Sequence, residues 1–449
     1  MTPHAARPAT FGALDTGVTA SAIAVVAGCF VLWGCVGAAL ERRAITAPIA
    51  FVALGVLLSH PPLQVVHLHL HSATLRGLAE LALAVVLFVD ASRVNVEALR
   101  ADLALPLRLL GIGLPLTIAA GAAVAAVVLG GPVWVAATVG AIVAPTDAAL
   151  GASIFADERV PSRVRRVLNV ESGLNDGIAS PFVNVFLAAA VSAEVAHSSG
   201  PAHAVVELVG GAAIGCGIGL VGGWCVRLAD ARALGSPAFA PLADLALALC
   251  AYAAALAAGT NGFVAAFVAG LAFGSVCDHE HSSLGFAEDT GELLSLLVWF
   301  MFGATMLVPG LRDMTWRDAV FALAALTVVR MVPVAIALTG TGLDRATVAF
   351  IGWFGPRGLA SIVFGLIAVD ALEPKDATLV LSAVTVTVAL SVLAHGLTAS
   401  PLAARYGRYA ATLQSTRPEL GRKAELRHRA LRAHGGHRAN ARRRPRTQA

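Results

Sequence analysis

The chain has 449 residues, of which 57% are hydrophobic and 13% charged, with a formal net charge of +4. Soluble domains carry roughly 25% charged residues, so half that share, gathered into short connections between long apolar runs, excludes an ordinary water-soluble enzyme or a nucleic-acid-binding module. A helix needs ~20 apolar residues to cross the ~30 Å hydrocarbon layer. The runs here, such as 22–40, are apolar on every side and lack the alternation of a β-barrel strand.

Taken in chain order, thirteen segments read as transmembrane helices: 18–40, 44–58, 78–90, 103–129, 132–155, 167–190, 203–226, 241–258, 261–276, 291–308, 318–338, 345–370 and 377–399. The second, third and ninth are short. The domain reading is a short extracytoplasmic N-terminus over 1–17, a transmembrane domain over 18–402 and a basic, disordered cytoplasmic tail over 403–449. The first 20 residues lack a basic stretch and a cleavage site, so no removable signal peptide is read. With the N-terminus outside, Arg42, Arg43, Arg93, Arg100, Arg159, Arg163, Arg165, Arg166, Arg227, Arg232 and Arg345 fall on the inner side. Arg76, Arg312, Arg317 and Lys375 fall outside. This bias orients the chain in the cell (plasma) membrane, with the arginine-rich tail (Arg442, Arg443, Arg444, Arg446) in the cytoplasm.

Ionisable groups inside spans are expensive and are functional candidates by default. The fifth segment carries Pro145, Thr146 and Asp147 at its middle. Proline lacks an N–H and clashes with the preceding turn, which predicts a break beside the aspartate. Broken helices at mid-membrane are how secondary transporters build ion sites. The sixth segment holds Glu171, Ser172, Asn175 and Asp176 within two turns. Ser172 and Asp176, four apart, share a face, while Glu171 points elsewhere. Carboxylate, hydroxyl and carbonyl oxygens without nitrogen or sulfur partners suit a hard cation rather than zinc or copper. A buried carboxylate must hold a proton or a cation rather than stand bare, and competition between the two couples their movements. Arg330 inside the eleventh segment requires an acidic partner, for which Glu171 is the candidate. The twelfth segment carries Gly355, Pro356, Arg357 and Gly358, a second break seven segments after the first, as an inverted repeat would place it.

These pieces together (Thr146-Asp147, Glu171-Ser172, Asn175-Asp176, Arg330 and the Gly355–Gly358 stretch, with 81–95 as a third helix) resemble the NhaP/NHE type of monovalent cation:proton antiporters over roughly residues 18–400. The resemblance implies an all-α polytopic fold of about 13 helices, with inverted repeats, two interrupted crossing helices, a dimerisation domain and a mobile core. It implies Asp176 as the shared cation and proton carboxylate. Sodium would sit among Thr146, Glu171, Ser172 and Asp176, with Asp147 assisting, Arg330 pairing Glu171 and Arg357 supporting a break. Asn175 before Asp176 is the pattern of the electroneutral branch. The resemblance also implies a homodimer serving pH homeostasis. The family places proline after its Thr-Asp pair, where this chain has Ala148 and an upstream Pro145. The unwinding of the fifth segment, and selectivity with it, turns on that difference.

The function expected is therefore exchange of Na⁺ (or Li⁺ or K⁺) for H⁺ by alternating access, with a monovalent cation, protons and the lipid bilayer as partners, no nucleic acid, no cofactor and no enzymatic chemistry. A potassium/proton exchanger on the same scaffold and a cation channel are the competing readings, the latter disfavoured by paired breaks in place of a filter. An intramembrane aspartic protease built on Asp147 and Asp176 lacks its sequence motifs, and an organic-anion symporter is disfavoured by the carboxylates. Outside this set, His60, His67, His69 and His71 read as a solvated loop, Asp90, Arg93 and Glu97 as interfacial ion pairs, and Asn261 as a helix cap. The polar group Cys277, Asp278, His279, Glu280 and His281 is an inner-side pH-sensor candidate, and the six cysteines read as free core thiols.

Overall fold

The computed structural model describes residues 20–41, 43, 45–93, 104–155, 157–194, 201–236, 239–277, 284–413 and 417–420. All regular structure among them is helical. In chain order the helices are α1 (Ala20–Glu41), α2 (Ala47–Ser59), α3 (Ala73–Ser92), α4 (Ala104–Arg108), α5 (Leu114–Val128), α6 (Val133–Ile142), α7 (Ala148–Phe155), α8 (Ser162–Glu194) and α9 (Pro201–Ala231). They continue as α10 (Ala240–Ala257), α11 (Gly262–Val276), α12 (Leu284–Met301), α13 (Val308–Arg312), α14 (Trp316–Leu326), α15 (Val328–Ala337), α16 (Arg345–Trp353), α17 (Leu359–Ala371) and α18 (Pro374–Ala410). Each expected segment falls on one of these helices or on a consecutive pair. Seven stretches, among them Ala20–Glu41, Ala104–Val128 and Pro374–Ala410, are long and apolar enough to cross a membrane by themselves.

Local chemistry explains where the helices deform. A π-turn, Leu109–Gly113, joins α4 to α5, and another, Phe302–Leu307, joins α12 to α13. Pro115 and Pro309 each follow within a turn and cannot donate to the carbonyl four residues back, so the spiral widens instead of breaking. Thr327 separates α14 from α15 at φ −112° and ψ −91°, its hydroxyl bonded to the Leu323 carbonyl. Asn261 caps α11 as expected, accepting from the Val264 N–H at 2.9 Å.

Two packed groups result. In one, α5 lies on α6, α14 and α15, α6 on α8, α15 on α16, and α18 on α14 and α17. In the other, α11 lies on α3, α9 and α10, and α12 on α2 and α3. They meet chiefly where α3, α9 and α11 touch α8 and where α3 touches α17. The site therefore lies in the first group, with one wall supplied by the second. Leucines and valines such as Val31, Val127 and Leu397 stand exposed on the outer faces, as lipid solvent permits.

Three details differ from the sequence reading. The helix entering the expected tail continues to Ala410, so the boundary at 403 falls inside α18; apolar and aromatic residues (Ala403, Tyr406, Ala410) extend its buried face beyond the apolar run. Arg417–Leu420 then packs near the start of α16, where Glu419 accepts from the Asp344 N–H at 2.5 Å and Arg163 donates to the Pro418 carbonyl at 2.6 Å. The remaining tail, the N-terminal 1–19, Glu97 and Asp278–His281 lie outside the described residues. Finally, the six cysteines form no disulfide, but only Cys29 is buried; Cys35, Cys216, Cys225 and Cys250 are exposed on helix faces, since nothing in an apolar bilayer requires a small thiol to face the core.

Candidate functional site

α6 ends at Ile142 because Pro145, three residues on, cannot extend it; the chain runs extended through Pro145–Asp147 and resumes as α7. Pro145 thus produces the interruption even with Ala148 in place of a following proline. The second interruption spans Phe354–Gly358, between α16 and α17. The two cross in direct contact, the Asp147 N–H donating to the Pro356 carbonyl at 2.7 Å. Gly358 makes the crossing possible: a Cβ there would fall on the Asp147 carboxylate, and one at Gly355 would meet Arg330 and Thr146.

Four half-helix ends meet here; a carboxylate answers the two N-terminal ends and an arginine the C-terminal end of α6. Asp147 accepts from the Ala149 N–H (2.7 Å) at the start of α7 and from the Leu359 N–H (2.8 Å) at the start of α17. One carboxylate thereby caps two positive N-terminal ends. Arg357, fully buried, donates to the Ala144 carbonyl (2.7 Å) and the Pro145 carbonyl (3.2 Å) beyond the end of α6, and to the Ala325 carbonyl (3.4 Å) near the end of α14. Ser361 ties the crossing further by donating to the Ile142 carbonyl at 2.7 Å.

α8 passes beside the crossing and presents its polar residues to it. Asn175 Nδ2 donates to Thr146 Oγ1 at 2.5 Å, and Ser172 Oγ lies 3.1 Å from the same oxygen. Glu171 points away, as its helical position requires, and meets Arg330 in a bidentate pair at 2.5 and 2.7 Å with both side chains 2% exposed. Both of its oxygens thus accept from a guanidinium, so in this conformation Glu171 and Arg330 balance each other's charge. Asp176 is buried, and its Oδ1 and the Oδ1 of Asn175 have no protein hydrogen-bond partner. Pro181, four residues beyond Gly177, also has no N–H to give the Gly177 carbonyl. Bare acceptor oxygens in a dry interior are costly unless something positive fills the space between them. The charges acting on Asp176 are those of Asp147, Asp90 and Arg357.

The structure therefore brings together Thr146, Asp147, Glu171, Ser172, Asn175, Asp176, Arg330 and Arg357. Sequence reasoning missed two neighbours. Asp90, expected in interfacial pairs, stands on α3 against this region, its Cβ 3.7 Å from where a Cβ of Gly173 would lie; Arg93 donates to Glu288 of α12. His395, buried on α18, contacts the second break; it was discoverable as an ionisable residue inside an apolar span. The outer histidines form no metal cluster among the described residues; His71 lies 3.3 Å from Asp370, which also accepts from Arg76. Outside the spans, the Tyr409 hydroxyl and the Ala346 N–H hold the Asp344 carboxyl below the usual carboxylate range.

Crossed, interrupted helices around buried carboxylates are the architecture of a polytopic membrane transporter. The family profile described as sodium/hydrogen exchanger, transmembrane, matches residues 22–405, and the chain belongs to that family of cation:proton antiporters. It is 27% identical over 329 residues to the K(+)/H(+) antiporter NhaP of Alkalimonas amylolytica, covering 73% of this chain and 56% of that protein. It is 28% identical over 233 residues to the Na(+)/H(+) antiporter NhaS2 of a Synechocystis species, covering 48% and 42%. The chain thus spans about half the length of the curated relatives it matches. Among solved structures, the sodium proton antiporter MjNhaP1 of Methanocaldococcus jannaschii at pH 8 shares the fold, with a TM-score of 0.69 at 21% identity, covering 86% of this chain and 98% of that one.

Proposed function

We propose that this chain exchanges a monovalent cation, Na⁺ or Li⁺ in the first reading, for H⁺ across the plasma membrane, with Asp176 as the carboxylate that the two share. The observation that carries the reading is the pair of bare, buried oxygens, Asp176 Oδ1 and Asn175 Oδ1, beside the Thr146–Ser172 cluster at the helix crossing. A dehydrated cation takes its ligands from such oxygens. Thr146, Ser172 and Asp176 are the residues proposed to surround it, with Glu171 behind them as the partner of Arg330.

Charge accounting supports electroneutral exchange. Glu171 is matched by Arg330, Asp147 by two helix N-termini, and Arg357 by carbonyls at helix ends. Asp176 is preceded by Asn175 and not by a second carboxylate. One negative group that alternates between one cation and one proton moves no net charge. Alternating access would arise from motion of the group containing the crossing against the group containing α3, α9 and α11. Assembly as a homodimer and an outside N-terminus complete the proposal.

Exchange of K⁺ for H⁺ is a second reading, favoured by the names of several relatives, among them the NhaP2 proteins of Shewanella species. Proteoliposomes carrying an imposed pH gradient decide between them. Added Na⁺, Li⁺ or K⁺ should collapse the gradient with wild-type protein and not with Asp176→Asn, and the order of the three cations gives the selectivity. Failure of all three over a broad pH range, with folded protein, would remove the antiporter reading; equal activity of Asp176→Asn would remove Asp176 from its centre.

A further inference from the structure

The second break has little hydrogen-bonding of its own to fix its path. Between Trp353, the last residue of α16, and Gly358, before α17, the chain turns at Phe354, where the Gly355 N–H donates to the Trp353 carbonyl at 2.9 Å, and then passes Pro356, which has no N–H. Its shape must be set by what packs against it. One face of α18 does this with residues spaced i, i+4 and i+7. Ser391 Oγ accepts from the Arg357 N–H at 2.7 Å. His395 Nε2 lies 2.9 Å from the Trp353 carbonyl, and its Nδ1 lies 3.2 Å from Ser391 Oγ and 2.9 Å from the Ser391 carbonyl. Thr398 Oγ1 accepts from the Trp353 indole N–H at 3.0 Å. The Trp353 and His395 rings lie in tilted contact, with centroids 5.3 Å apart and planes at 34°.

A carbonyl oxygen only accepts, and each ring nitrogen lies 2.9 Å from one; with the proton on Nε2, His395 donates to the Trp353 carbonyl while Nδ1 accepts from the Ser391 hydroxyl. His395 thereby holds the near end of the break by its own N–H and contacts, at its other nitrogen, the serine that holds the far end. The residues so fixed line the crossing: Gly355 packs on Thr146 and Arg330, the Pro356 carbonyl accepts from Asp147, and Arg357 neutralises the helix end at Ala144.

We infer that His395, bridging Trp353 and Ser391 across the second break, is a positioning residue for the cation site, acting through Gly355–Arg357 on Thr146 and Asp147. It touches no transported ion. This assignment rests on the antiporter reading above. His395 and both half-helices it holds lie in the same packed group, so loosening the break changes the site's ligand geometry and not the surface on which the two groups slide. The effect falls on KM for the cation more than on the maximal rate.

The test uses full-length protein in proteoliposomes, with Na⁺, Li⁺ and K⁺ each titrated against an imposed pH gradient. His395→Leu removes the bond to Trp353 and should raise KM about tenfold for the cation that wild type transports, the size expected for losing a buried hydrogen bond, with the maximal rate changed less. His395→Gln places an N–H where Nε2 stands and should restore KM, whereas His395→Asn, too short to reach Trp353, should behave like His395→Leu. Ser391→Ala, which keeps the histidine, should raise KM in the same direction. An unchanged KM in His395→Leu, a loss confined to the maximal rate, or no difference between the Gln and Asn variants would overturn the inference while wild-type exchange remained intact. If His395→Leu does not fold, the comparison of Gln, Asn and Ser391→Ala decides alone. A wild type inactive with all three cations would instead overturn the transport reading, and this inference with it.

Discussion

Replacing Arg330 with methionine leaves Glu171 in a site 2% exposed, with its two oxygens stripped of bonds of 2.5 and 2.7 Å. Loss of one partner of a buried pair costs about 3–5 kcal/mol, because the survivor stays buried without compensation. Removing both charges leaves no uncompensated group and, with the volume kept, costs far less, often nothing. The double variant Glu171→Gln/Arg330→Met should therefore be more stable than Arg330→Met alone, with a coupling of roughly 2–3 kcal/mol between the sites. Thermal inactivation half-lives of detergent-solubilised protein, followed by size-exclusion fluorescence, give the order: wild type, double variant, then either single one. If Arg330→Met decays no faster than wild type, or if the double variant is the worst, the pair is not what stabilises this region. Transport by the double variant then separates two roles for Glu171. Retained exchange means that it balances Arg330, and lost exchange in stable protein means that the cation also needs its oxygens.

Asp147→Asn keeps one of the two capping oxygens, turns an NH2 toward the other N–H and removes the charge shared by two helix N-termini; it should cost about 1–2 kcal/mol of stability and most of the exchange rate, measured in the same vesicles. Gly358→Ala puts a methyl on the Asp147 carboxylate and should abolish exchange more completely than Asp147→Asn; wild-type flux in this variant would refute the crossing contact. Arg357→Lys keeps the charge but not the fork that reaches three carbonyls, so it should fall well short of wild type in cation-dependent proton flux. Because the folded-state Asp344 carboxyl titrates below its ordinary value of ~3.9, the stabilisation it gives is complete above that value and lost only as pH falls through the lower one. Hydrogen exchange at Ala346 and Thr347 should stay slow down to about pH 4 and rise beneath it; acceleration between pH 5 and 6 would contradict the assignment.

The class of this protein was written in its composition, since apolar runs of this length admit no water-soluble fold and only helices satisfy their backbone locally in lipid. Prolines located both breaks for the same local reason: Pro145 and Pro356 cannot extend a helix wherever they lie. The helical period alone separated Glu171 from Ser172 and Asp176, and burial cost required a carboxylate for Arg330. What no local rule contains is which ends face which. That Asp147 caps two half-helices more than 200 positions apart in the chain, that Arg357 answers carbonyls from two others, that His395 clamps the second break and that Asp90 approaches from the other packed group follow from how the helices cross. The helix from Pro374 outlasted its apolar run because Tyr406 and Ala410 found partners near Thr347 and Glu419, contacts that hydropathy does not encode. Sequence determined what must be buried and where helices must stop; the tertiary structure decided which buried charges balance one another and which oxygens were left for an ion.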